Sequence, residues 1–347
     1  MDKEKTIIAA ILACLPFMSQ AQSTELTCWT IKGGQMILPV ENTLLEIPDS
    51  IGAIDLCGME GITLDCSSAS PNCLYYTDGT TSVEGLPNAN VVCEGVCEGL
   101  LLTDEACFYC PMSFFATDAM LRFTPRYDDE DEGADFSRPC HETVLLPFSA
   151  DFVIPEDVNG PMPEGWFQKA TFSGYDDGML VFHQSFEESL MANTPYLVTF
   201  AYGAYGTRIL FFGQNKTVEE TKMIIEGESP YFFTGVTKSE EETSGYFRYH
   251  RGQDPYFVHT GDGKPMEPFR CFMISPMADG REALPTSGQI LRYSVSEGES
   301  TGGESTGIVP RIKNHSSQVC YDLMGRQLPN ADRSKGIYIQ GGVKVIR

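Results

Sequence analysis

Positive charge is scarce in this chain: 24 Lys and Arg stand against 48 Asp and Glu, for a formal net charge of −24. That balance argues against nucleic acid as a partner, because a phosphate backbone demands a basic face. Long apolar runs are also lacking. The longest, from Ile7 to Met18, is 12 residues, short of the about 20 that a membrane-spanning helix needs, so no transmembrane segment is expected in the mature chain. No stretch shows a sustained helical period beside good caps. The five histidines (His141, His183, His250, His259, His315) form no HExxH or other local cluster, so no metal and no cofactor is expected.

What is present begins with a leader. Lys3 and Lys5 precede the apolar run, and Ser19 and Ala21 place small residues at −3 and −1 of a cleavage site, the pattern of a secretory signal peptide over residues 1–21. Ile11-Leu12-Ala13-Cys14 loosely resembles a lipobox, which is the competing reading. Export allows disulfides. Eleven cysteines remain after residue 21, so one thiol at least is left over. Cys93, Cys97, Cys107 and Cys110 imitate zinc-ribbon spacing without a histidine nearby. If 105–110 is a strand, Cys107 and Cys110 point to opposite faces about 10 Å apart, so bridges are expected across strands, one member from each pair. Buried free thiols are the alternative.

The chain divides by composition. Residues 296–307 contain only Ser, Glu, Gly and Thr, with one five-residue unit repeated; such a segment cannot bury enough apolar surface to fold and is expected to be a flexible tether. Its two Gly-x-Ser-x-Gly matches therefore carry no nucleophile elbow. Beyond it, residues 308–347 hold seven basic residues against Asp322 and Asp332, a charge of +5 that leaves −29 before it. A sign reversal of this kind marks a separate unit.

Short β-branched and aromatic runs at 194–200, 208–212, 231–234, 245–249, 269–274 and 289–295 predict an all-β fold, with a β-sandwich over residues 117–295. Thr260-Gly261-Asp262-Gly263 predicts a hairpin turn. Runs at 53–56, 74–76, 90–92, 100–102 and 108–110 predict a small β-layered domain over residues 22–116, with degenerate leucine-rich-type turns around Ile47-Pro48-Asp49-Ser50-Ile51. The acidic run 128–135 is expected to be a solvated loop, since it lacks the ligand spacing of a calcium loop. Tyr231, Phe233, Tyr246, Tyr249 and Tyr256 are candidates for a glycan-binding platform.

Pro71-Asn72-Cys73-Leu74-Tyr75-Tyr76, Leu101-Leu102-Thr103-Asp104, Ala192-Asn193-Thr194-Pro195-Tyr196-Leu197 and Pro268-Phe269-Arg270-Cys271-Phe272 occur in an order that resembles a β-rich module of secreted Bacteroidota-type proteins, one that brings no known active site. Val319-Cys320-Tyr321-Asp322-Leu323-Met324-Gly325-Arg326, Lys335-Gly336-Ile337-Tyr338-Ile339 and Gly342-Val343-Lys344-Val345-Ile346-Arg347 resemble the C-terminal sorting domain of the type IX secretion system. The resemblance implies a short β tail over residues 308–347 with the export machinery as partner, and a cell-surface or extracellular location, periplasmic where the tail is inactive. The expected function is a non-enzymatic surface protein, a structural or adhesive module with a protein or glycan ligand. The alternatives are a carbohydrate-binding module and a hydrolase whose site is assembled only in space.

Overall fold

The computed structural model describes residues 24–41, 43–126, 128, 139–156, 165–185, 189–201, 207–222, 224–226, 231–238, 246–251, 254–261, 265–275, 287–297, 320–321, 327–328, 337–340 and 343–346. The expected leader and cleavage site, most of the acidic run, and residues 298–319 lie outside them. The fold is all-β, and no helix occurs among the described residues, so none is long and apolar enough to cross a membrane.

The chain opens with a hairpin, β1 (Thr24–Thr30) and β2 (Gln35–Val40). It then winds between two walls. β3 (Leu44–Glu46), β5 (Glu60–Asp65) and β7 (Ser82–Glu84) form a parallel three-stranded sheet. β4 (Ile51–Asp55), β6 (Leu74–Thr77) and β8 (Val91–Cys93) stack in parallel in the opposite wall. Leu26, Ile47, Ile54, Leu64 and Tyr75 fill the space between the walls. Asp55 and Asp65 end their strands and accept the backbone N–H two residues on, as does Asp78 just after β6. These side-chain turns start each corner of the coil. Two asparagines with 0% and 4% exposure, Asn72 and Asn90, staple neighbouring turns together. Asn72 donates to the Thr103 and Ala106 carbonyls and accepts from the Thr103 N–H. Asn90 donates to Pro71 O and accepts from Leu101 N.

At Glu94-Gly95, two consecutive positive φ angles (50° and 82°) turn β8 back into β9 (Val96–Thr103), as a two-residue hairpin requires. β10 (Phe114–Phe123) then pairs in parallel with β9. The following strands are β11 (Cys140–Val144), β12 (Phe152–Pro155), β13 (Phe167–Asp176), β14 (Met179–Ser185), β15 (Tyr196–Phe200) and β16 (Ile209–Val218). Next come β17 (Ile224–Glu226), β18 (Phe232–Val236), β19 (Tyr246–His250), β20 (Tyr256–Val258), β21 (Arg270–Ile274), β22 (Ile290–Leu291) and β23 (Tyr293–Glu297). The wall sheet continues through β9, β10, β16 and β12 to nine strands. A five-stranded sheet has the order β11-β15-β13-β14-β23, and a six-stranded sheet the order β17-β18-β21-β19-β20-β22.

Stacked, solenoid-like sheets thus stand where a β-sandwich was expected. The reason lies in β15. Tyr196, Val198 and Phe200 enter the core shared with the nine-stranded sheet, while Leu197 enters the core shared with the six-stranded sheet. A strand buried on both faces belongs to a middle layer, and period-2 alternation cannot distinguish it from a sandwich strand. The wall sheet passes without a break from β9 to β10, so position 116/117 falls inside a strand. Of the hairpin turn expected at 260–263, residues 262–263 lie outside the described residues; the runs expected on either side of it, β19 and β21, pair antiparallel, with β20 on the far side of β19. β23 pairs in parallel with β14 and runs to Glu297, two residues into the segment expected to be a tether. Residues 299–347 are a unit apart from residues 1–298. In it β24 (Cys320–Tyr321), β25 (Gln327–Leu328), β26 (Ile337–Gln340) and β27 (Val343–Ile346) form an antiparallel sheet of order β25-β24-β26-β27.

Candidate functional site

The four cysteines singled out by spacing are all free thiols. Cys93 is exposed beside the β8–β9 turn. Cys97 and Cys110 are in the core, and burial pushes their thiols up to about 11 and about 12. Cys107 is half-buried. Residues 104–113 form a loop, so the strand on which opposite-facing thiols were argued is not there. The loop is docked instead, by Phe108 N–H on Thr237 O and Cys110 N–H on Thr221 Oγ1.

Strand alternation divides the five candidate aromatics between two faces. Phe233 and Tyr249 are core residues, and Tyr231 packs at the edge of that core, 5.0 Å from Tyr175. Tyr246 lies on the other face, stacked at 4.6 Å on Phe272. Tyr256 stacks at 4.5 Å on His250. They make no common platform.

The chemistry gathers elsewhere, in a cavity of about 350 Å³ beside β11, β19 and β21. Three carboxylates (Asp128, Glu142, Glu267) and three guanidinium groups (Arg248, Arg251, Arg270) line it. Glu142 is placed by register. It lies on β11 between Cys140 and Val144, which both face the core, so its carboxylate is drawn inward to 0% exposure. There it accepts the Arg126 N–H at 2.8 Å, with Arg270 Nε at 3.5 Å and Arg251 Nη1 at 3.7 Å. Arg270 opens β21 at 6% exposure. It donates to Asp104 Oδ2 (2.8 Å) and Thr124 O (3.0 Å), and its guanidinium lies 3.7 Å from the centre of the Phe123 ring. Arg251 follows β19 and forks between Glu267 (2.9 Å) and Asp128 (3.1 Å). Arg126 reaches Glu267 at 3.1 Å. Asp128, the first residue of the acidic run, is therefore held by an arginine.

These neighbours drive the carboxylates apart. Burial pushes the Glu142 carboxyl above the usual range, against the opposing pull of Arg270, Arg251 and the Arg126 N–H. Burial would raise Glu267 too, but Arg251, Arg270 and Arg126 outweigh it and hold it at about 2. Burial disfavours a charged Arg251, and Glu142, Glu267 and Asp128 more than restore it. Among the described residues, no group of three His, Cys, Asp or Glu side chains is placed to hold a metal.

No family model, curated protein or solved structure matches the chain.

The cluster spans residues 104 to 270, so motif spacing could not reveal it. One signal was local: an acidic residue in the inward register of an apolar strand, Cys140-x-Glu142-x-Val144. A buried charge must have a partner, and that strand pattern demanded one.

The opposite shifts have a consequence in acid. The folded-state value of Glu267 lies below its ordinary 4.5, so its stabilisation is fully present above about 4.5 and is lost as pH falls toward 2. Glu142 has the reverse sign: its contribution is present below its ordinary value and is lost as pH rises through its raised one. Glu267→Gln should therefore flatten the fall in urea midpoint between pH 4.5 and 2. An unchanged slope would show that Glu267 is not held by the arginines.

Proposed function

We propose that the protein is a non-enzymatic interaction module of the cell exterior, adhesive or structural, and that it recognises its ligand through the charged cavity. The observation that carries this reading is the mutual pairing of the cavity charges. Each guanidinium is fixed by carboxylates or backbone carbonyls drawn from separate strands and loops, so the walls are pre-organised, and pre-organisation lowers the cost of binding. The leader pattern supports export. The basic 308–347 segment, which lies with its four strands in the separate unit 299–347, supports a sorting tail that engages the export machinery. The acidic body supports solubility outside the cell and a partner other than nucleic acid.

A second reading is favoured by one observation: Glu142 is held toward its protonated form and Glu267 toward its ionised form in a single cavity. Such a split is what acid–base hydrolysis uses. One experiment separates the two. Purified full-length chain is incubated with intact producing cells, with bound protein and released small molecules both measured. The module reading expects saturable binding with no released fragment. Sustained release that Glu267→Gln abolishes would overturn it in favour of hydrolysis.

A further inference from the structure

We propose that the outer face of the nine-stranded sheet, at its β12 end, is a docking surface for a second copy of this chain, held there in a two-fold dimer. This face shares no residue with the charged cavity, so the inference goes beyond the reading of that cavity.

Strand register builds the face. Leu102 of β9, Leu121 of β10 and Phe211 of β16 enter the core, and Val153 of β12 packs against it, so their neighbours point to the other side of the sheet. There Leu101, Met120, Phe212 and Phe152 stand side by side, one from each of four paired strands. Leu210 and Ile154 form a second row beside the last two. The stripe spans three strand spacings, about 14 Å. β12 ends the sheet, and Phe152 and Ile154 are 56% and 42% exposed. Natural edge strands are commonly blunted by charge, and an apolar one left open invites another chain. β12 has no charged residue from Phe152 to Pro155.

Charge selects the occupant. On one side of the stripe, exposed Asp118 accepts from Gln214 Nε2 at 3.2 Å. On the other, Arg122 and Arg208 hold Glu156 at 3.0 Å and 3.7 Å. One rim is therefore net negative and the other net positive, and these four charges cancel. The chain as a whole carries −24, so two copies repel wherever acidic surfaces meet, and this face offers them an approach without net repulsion. A two-fold axis along the stripe lays apolar rows against apolar rows. It also sets the Asp118 rim of each copy against the Arg122–Arg208 rim of the other. A wholly acidic or wholly basic partner would satisfy one rim and be repelled by the other. Two rows over about 14 Å cover less than the about 800 Å² per partner of a standard interface, so the dimer is weak and assembles at micromolar concentration.

The test is sedimentation equilibrium of the full-length chain from about 1 to about 300 μM, a span that covers weak association. The expected result is a reversible monomer–dimer equilibrium whose dissociation constant rises at least tenfold in Phe152→Ser/Ile154→Ser. Charge reversal supplies a second reading. Asp118→Arg alone and Arg122→Glu/Arg208→Glu alone should each weaken dimerisation. An equimolar mixture of the two should dimerise again, since one copy then has two basic rims and the other two acidic ones. Urea midpoints serve as the control for folding. A chain monomeric throughout, a dimer indifferent to Phe152→Ser/Ile154→Ser, or a mixture no better than its components would overturn the inference. A monomer that instead binds phosphatidylcholine vesicles through Phe152 would give the stripe to a lipid surface and overturn it equally.

Discussion

Replacing Arg270 with Met should destabilise the folded chain by about 3–5 kcal/mol, the usual cost of leaving a buried charge without its partner. Two carboxylates depend on this guanidinium: Asp104, whose side chain is 1% exposed, and Glu142, at 0%. Met matches much of the arginine stem and keeps contact with Phe123, so the loss reports charge more than volume. The deficit should shrink in acid. Removing Arg270 takes away the leading opposition to the burial that already raises Glu142, so that carboxyl can protonate and cease to be an unpaired ion. Adding Glu142→Gln to Arg270→Met should cost less than the sum of the two single changes, since residues in one network couple. Urea midpoints at unchanged slope measure all three variants. Full additivity would show that the two residues do not share one network.

Asn72→Ala should cost about 2–4 kcal/mol, because three hydrogen bonds vanish at a position with no solvent access. The Thr103 N–H and the carbonyls of Thr103 and Ala106 would lose the side chain that joins the 70–74 turn to the end of β9. Asn72→Asp should do no better: it keeps the acceptor but loses both donors and buries a charge. Hydrogen exchange at the Thr103 amide reads this locally. Protection that survives Asn72→Ala would show that the staple is dispensable.

The sequence carried the strands better than their stacking. Runs at 245–249 and 269–274 return as β19 and β21 within a residue, because β-branched and aromatic side chains in alternation need only a half-buried pleated surface. Which sheet covers that surface is non-local. Leu197 and Val198 look alike in sequence yet enter different cores. The 108–110 run failed for a related reason. Phe108 is buried and stacked on Phe269, and its N–H donates to Thr237 O, so its burial comes from a docked loop and not from a strand. The site was nearly invisible, since Asp104, Glu142, Arg251, Glu267 and Arg270 meet only after three sheets have stacked. Aromatic clustering drew attention to Phe233 and Tyr249, whose rings fill the core, as buried aromatics commonly do. Only Glu142, acidic in an inward register, announced a partner.

Binding of purified full-length chain to intact producing cells, compared with its Arg248→Met/Thr260→Val variant, tests the cavity as a recognition site most directly. Neither residue belongs to the Arg270–Glu142–Asp104 ion pairs, so the urea midpoint of the variant serves as the control for folding. The account predicts an unchanged midpoint and at least a tenfold loss of cell binding. Equal binding by the two proteins, at equal stability, would contradict it.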